Sequence, residues 1–155
     1  MVDDRPLPIK IPESHRHCPV GHATALLGDR WSMMIVREAL GGASRYQEFK
    51  DALGISDHTL TRRLAHLQGI GVLERNDERS GRYLLTDAGE DLARVMAVLG
   101  DWAMQWLPVE RPLRPPVEPV VEAAEQLGFE TRARLRNEED TELASAQLTP
   151  PEEPA

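Results

Sequence analysis

The chain has 155 residues, a formal net charge of −8, 41% hydrophobic and 28% charged side chains, and a single cysteine. That suits one soluble domain with a tail; it is too short for a TIM barrel or a two-domain enzyme, and no apolar run approaches the roughly 18 residues of a membrane span. One cysteine forms no intrachain disulfide, and the charged start Met1-Val-Asp-Asp-Arg-Pro lacks the apolar stretch of a secretory signal, so we expect a cytoplasmic protein.

The charge is unevenly placed. Residues 1–17 are neutral, residues 18–106 carry −2, and residues 107–155 carry −6. The acidity is mostly a property of the tail, and a pI of 5.1 argues mildly against a nucleic-acid partner without forbidding a local basic face. Prolines follow the same division. Pro6, Pro8 and Pro12 make residues 1–17 an extended N-terminal arm, and residues 18–107 form the periodic domain. Residues 108–155 read as a Pro-rich linker and acidic tail, with a short helix from Val117 to Leu127 stopped by Gly128.

Within the domain, Cys18-Pro19 opens a first helix with Ala23, Leu26 and Leu27 as its apolar face, broken at Gly28-Asp29. Trp31 to Leu40 is a second helix, with Trp31, Met34, Ile35 and Val36 mostly inward, ended by Gly41-Gly42. Ser44 is a good N-cap for a third helix through Leu53, whose Tyr46, Phe49 and Leu53 share a face. Gly54 then supplies a turn. Ser56 caps a fourth helix to about Gln68, with the stripe Leu60, Leu64 and Leu67. Val72-Leu-Glu-Arg and Arg82-Tyr-Leu-Leu-Thr read as two short strands around the polar turn Asn76 to Gly81. Thr86 caps a long last helix to about Leu107, with Ala88, Leu92, Val95, Met96, Leu99, Trp102, Ala103 and Trp106 as its apolar face.

Two helices joined by the tight Leu53-Gly54-Ile55-Ser56 turn form a helix-turn-helix, and a hairpin straight after it is a wing. The fold class is therefore mainly α with a small β-hairpin: a winged helix-turn-helix, with a helix-mediated dimer expected from the last helix. The leucine stripe holds the fourth helix on the core, so its opposite face is free to enter a major groove. At roughly 100° per residue, His58, Arg62 and Ala65 point away from the leucines. Thr59, Thr61 and His66 flank them, and Arg63 lies nearer the stripe, where pairing with a nearby carboxylate competes with DNA contact. Arg62 suits guanine or a phosphate, and the small threonines can approach base edges. Ser56 and the helix N-terminus suit a phosphate. Arg75, Arg79 and Arg82 make a cationic wing for backbone or minor groove.

Cys18-Pro-Val, Gly28-Asp-Arg-Trp-Ser-Met-Met-Ile-Val-Arg-Glu, Arg45-Tyr-Gln-Glu-Phe, Gly54-Ile-Ser-Asp-His-Thr-Leu-Thr-Arg-Arg-Leu and Tyr83-Leu-Leu-Thr-Asp-Ala-Gly together resemble the HxlR-type regulators, bacterial winged helix-turn-helix proteins related to the MarR group. The resemblance covers about residues 18–106. It implies a homodimeric transcription factor, repressor by default, that reads a pseudo-palindrome in double-stranded DNA and buries its first and last helices against the partner. Two such readers would sit about 34 Å apart, one DNA turn. The wing turn here is shorter and more acidic than is usual in the family, and the acidic tail lies outside the resemblance.

Cys18 matches the N-terminal cysteine of redox-responsive members. It sits at a helix N-terminus, where the dipole favours negative charge, near His15, Arg16, His17 and His22. The competing reading is an inert thiol. Cys18 and His22, one turn apart, also raise a metal-responsive regulator, although no carboxylate completes a site. Trp31, Met33, Met34, Met96, Trp102, Met104 and Trp106 suit either an effector pocket or, at helical spacing, core and dimer interface. A further alternative is a protein-interaction adaptor that has lost DNA binding. Nothing calls for a cofactor. No phosphate loop, acid–base pair or nucleophile constellation supports an enzyme.

Overall fold

The computed structural model describes residues 10–13, 17–76, 81–108 and 117–128. It falls into two compact units, residues 1–93 and 94–155. The expectations for residues 1–9, His15, Arg16, Arg79 and the acidic tail lie outside the described residues.

The order is α1 (Pro19–Leu27), α2 (Ser32–Leu40), α3 (Tyr46–Leu53), α4 (Asp57–Gly69), β1 (Leu73–Asn76), β2 (Arg82–Leu85), α5 (Asp87–Glu90), α6 (Leu92–Trp106) and α7 (Glu118–Gln126). The described residues are thus mainly helical, with one antiparallel hairpin in the register Leu73↔Leu85 and Arg75↔Tyr83. A winged helix-turn-helix results, as expected. Its core gathers Ile35 and Val36 of α2, Phe49 of α3, Leu60, Leu64 and Leu67 of α4, and Leu73 of β1, all almost wholly withdrawn from water. The Tyr83 ring meets Phe49 edge-on at 6.2 Å. The Tyr83 N–H donates to Ser44 O at 2.8 Å and ties the wing to the turn before α3.

Local chemistry sets several boundaries. Cys18 caps α1 with its thiol rather than a hydroxyl, and Pro19 takes the first helical position. Gly54 ends α3 in the left-handed region at φ 60°, the conformation a glycine adopts without steric cost. Ser56 caps α4. Helix α3 starts one residue later than expected. Arg45, not Ser44, is its N-cap. The orphan N–H groups of Ser44 and Arg45 are taken by the Glu48 carboxylate at 2.7 and 2.9 Å. Those two backbone bonds hold the Glu48 carboxyl below the usual range. The first strand likewise starts at Leu73, leaving Val72 as a buried residue of the preceding turn.

Three apolar expectations are corrected. Ala23 is exposed, Leu26 and Leu27 are half-buried, and Gly21 is the buried residue of α1. Met34 is 37% exposed, because α2 turns Ile35 and Val36 inward instead. The long last helix is broken after Glu90 into α5 and α6, and Ala88 faces solvent. Thr86 caps only α5, accepting from Gly89 N at 3.2 Å and donating to Gly71 O at 2.6 Å. Helix α5 is pressed close to the chain entering β1. A Cβ on Gly89 would lie 2.3 Å from Val72 O and 2.8 Å from Leu85 Cδ2.

Backbone does not yield as a flexible side chain does. Gly89→Ala should therefore lower stability by about 1–3 kcal/mol, read as a lower urea midpoint at unchanged slope. A midpoint equal to wild type would show that α5 can move off Val72.

Candidate nucleic-acid interface

Burial of Leu60, Leu64 and Leu67 settles which side of α4 is available. His58, Thr61, Arg62 and Ala65 are exposed, and Thr59 is half-buried. At the helix start, Ser56 Oγ donates to Thr59 Oγ1 at 2.9 Å and accepts from Thr59 N at 3.4 Å. Arg62 projects from the exposed side. Arg63 does not. It is half-buried, with Nε 3.1 Å from Asp29 Oδ1. His66 is also half-buried, its Nε2 donating to Leu26 O at 2.8 Å.

Sequence reasoning passed over a second feature of this face. Asp57 brings an acid to the start of α4, and α3 neutralises it. Lys50 Nζ lies 2.7 Å from Asp57 Oδ2. The Tyr46 hydroxyl reaches Asp57 Oδ1 at 3.0 Å and Asp57 O at 3.1 Å, beside Thr61 Oγ1 at 3.3 Å. The available signal was the Tyr46-x-x-x-Lys50 spacing, which puts both side chains on one side of a helix. The Lys50 bond, then the Tyr46 hydroxyl, hold the Asp57 carboxyl below the usual range, and the same tie raises Lys50.

On the wing, Arg75 and Arg82 are exposed. The Arg75 guanidinium lies over the Tyr83 ring, 5.4 Å from its centroid. Before α1, Cys18 is exposed, its Sγ accepting from Gly21 N at 3.3 Å. Among the described residues no cluster of three or more His, Cys, Asp or Glu could hold a metal ion. Among them, too, no helix is long and apolar enough to cross a membrane.

Residues 26–111 match the HxlR-like helix-turn-helix family. The chain belongs to that family. It is 39% identical over 103 residues to an HTH-type transcriptional regulator, Rv3095, of Mycobacterium tuberculosis (strain ATCC 25618 / H37Rv), the match covering 64% of each chain. The HxlR-family chain thus spans just under two thirds of that relative's length. Among solved structures it is similar to PA1607, a candidate transcription factor, at 34% identity and TM-score 0.58, covering 66% of this chain and 77% of the other. It is also similar to YodB from B. subtilis. The reduced form matches at 29% identity and TM-score 0.54, covering 61% and 98% of the two chains. The quinone-bound form matches at 31% and 0.52, covering 56% and 97%. This family and fold are those of helix-turn-helix transcriptional regulators, which are not enzymes.

The Asp57 tie has a testable sign. Its aspartate contribution to stability is present above the ordinary aspartate value and is lost as pH falls through the lowered one. Its lysine contribution is present below the ordinary lysine value and is lost as pH rises through the raised one. A carboxyl-carbon NMR titration should place the Asp57 midpoint below that of an unpaired aspartate, and Lys50→Ala should move it back up. An unshifted Asp57 in the wild-type chain would mean the pair does not persist in solution.

Proposed function

We propose that this HxlR-family chain is a transcriptional repressor that binds a pseudo-palindromic operator in double-stranded DNA as a homodimer. The observation that carries the reading is the two-sided character of α4. Three leucines bury one side, and His58, Thr61 and Arg62 stand exposed on the other. Arg62 is the base reader or phosphate holder, and Ser56, His58, Thr59 and Thr61 lie along the same approach. Arg75 and Arg82, with Arg79 between them in sequence, serve the flanking backbone from the wing.

A dimer is supported by α6. Val95, Val98, Leu99, Trp102 and Trp106 follow helical spacing and stand in water, Trp102 51% and Trp106 66% exposed. Large apolar side chains in such a row mark a surface that another chain covers. Light scattering at micromolar concentration should return twice the chain mass, and a monomer would overturn the dimer.

The regulator should bind the DNA upstream of its own gene more tightly than a scrambled control, with affinity falling steeply as salt rises. Arg62→Ala should cost about 1–3 kcal/mol, and relax specificity at one position, if Arg62 reads a base. If it holds a phosphate, affinity falls uniformly across sequences. Binding without salt dependence or site preference would favour a protein-interaction adaptor instead.

Regulation is read at Cys18, through an oxidant or an electrophile. The thiol is exposed at the start of α1, and YodB, a solved structure to which this chain is similar, is known with a quinone bound. Diamide or quinone should weaken operator binding by the wild-type chain and leave Cys18→Ser unaffected. An equal response from both would remove Cys18 from the mechanism.

A further inference from the structure

The back of the recognition helix is not held by leucines alone. Arg63 and His66, three residues apart, lie on one side of α4. Both reach the same short stretch of chain, the turn between α1 and α2. His66 Nε2 donates to Leu26 O at 2.8 Å. Leu26 lies in the last turn of α1, where carbonyls have no partner within the helix. Arg63 Nε sits 3.1 Å from Asp29 Oδ1, an ion pair with both side chains about one-fifth to one-quarter exposed.

Asp29 is itself fixed. It accepts from Trp31 N at 2.9 Å, from Ser32 N at 3.1 Å and from the Ser32 hydroxyl, so it closes the N-terminus of α2. Burial alone would raise its carboxyl. The bonds from Ser32 and Trp31, with Arg63 beside it, outweigh burial and keep it below the usual range. The carbonyl end of α1 and the amide end of α2 therefore lie close together in the chain, Leu26 O taken by α4 and the amides of Trp31 and Ser32 by the residue that α4 grips.

We propose that Arg63 and His66 are positioning residues, which set the angle of the recognition helix by clamping it to the Leu26–Asp29 turn, and that movement of α1 reaches the DNA reader through this clamp. On this view Arg63 makes no DNA contact. The proposal rests on the DNA-reading function given above, and it supplies the route by which an event at the start of α1 changes that reading.

The test uses the full chain and the DNA upstream of its own gene, with affinity measured across salt concentrations. Asp29→Asn keeps an acceptor for the start of α2 and removes the charge. Arg63→Gln and Asp29→Asn should each lower site-selective affinity by roughly five-fold or more. The double variant should lose little beyond either single, because Asp29→Asn keeps the acceptor that caps α2 and removes only the charge that pairs with Arg63. The dependence of affinity on salt should stay as steep as in the wild type. His66→Ala should also weaken binding, and His66→Gln, whose amide can still donate to Leu26 O, should recover part of the loss. A salt dependence shallower by about one phosphate contact in Arg63→Gln, with Asp29→Asn neutral, would overturn the proposal by making Arg63 a DNA contact.

A second readout needs no DNA. Amide exchange in α4 should quicken roughly five-fold or more in Arg63→Gln and Asp29→Asn relative to exchange in the hairpin. Unchanged α4 exchange would overturn the clamp. If the wild-type chain shows no site-selective DNA binding, the repressor reading fails, and amide exchange still decides the clamp.

Discussion

The burial of Leu60, Leu64 and Leu67 is the constraint on which the rest of this molecule depends. Each leucine removed from water contributes roughly 1.5–3 kcal/mol, and all three lie on one side of a 13-residue helix. A helix held along one stripe has its other faces assigned by geometry. The opposite face must meet water or a partner, and there the exposed residues are His58, Thr61, Arg62 and Ala65. The partners of the leucines, Ile35, Val36 and Phe49, come from the two preceding helices. The reader is therefore set by the same contacts that make the core.

Hydrophobic contact is non-directional, so it fixes depth better than angle. The polar contacts supply direction. Arg63 and His66 engage the α1–α2 turn from the flank of the stripe, and Tyr46 and Lys50 engage Asp57 at the helix start. Leucines thus bury the long side of α4, and hydrogen bonds and ion pairs fix its start and its flank. The wing is fixed in a similar way. The Tyr83 ring packs on Phe49, its N–H bonds Ser44 O, and Arg75 lies over its face.

Much of this was legible in the sequence because the signals are local. Period-3.6 leucines, Ser56 before a helix, Gly54 after one, and alternating short strands around a polar turn each act within a few residues. The misreadings share a cause. An apolar face says nothing of whether its own chain or another covers it, so Val95, Leu99, Trp102 and Trp106 leave core and dimer interface both open in the sequence, and Met34, expected inward, stands exposed. The break between α5 and α6 was hidden because Thr86 is a sound cap, and residues 87–106 are compatible with one continuous helix. The tertiary feature beside it, the close approach of Gly89 to Val72 O, carries no local signal in the sequence. Arg63 lay on the boundary of the leucine stripe, where helical angle alone assigns it neither to carboxylate nor to DNA. The position of Asp29, 34 residues earlier in the chain, supplies the missing information.

The overall acidity weighs against a nucleic-acid partner, and the local arrangement explains why it does not decide the matter. A phosphate feels charges within about a Debye length, roughly 8 Å in physiological salt. The tail's six excess negative charges lie at residues 107–155 in sequence, and they enter the net charge whether or not they approach DNA. On the recognition helix itself the carboxylate is Asp57, which Lys50 pairs with and the Tyr46 hydroxyl donates to. Lys50 is half-buried and committed to that pair rather than added to the cationic surface. Arg63 is committed to Asp29 in the same way. What remains presented along α4 is one arginine, small hydroxyls and a histidine. Such a face attracts phosphate weakly and depends more on fit to base edges than on bulk charge. A face of this composition discriminates by shape and hydrogen bonding more than by charge.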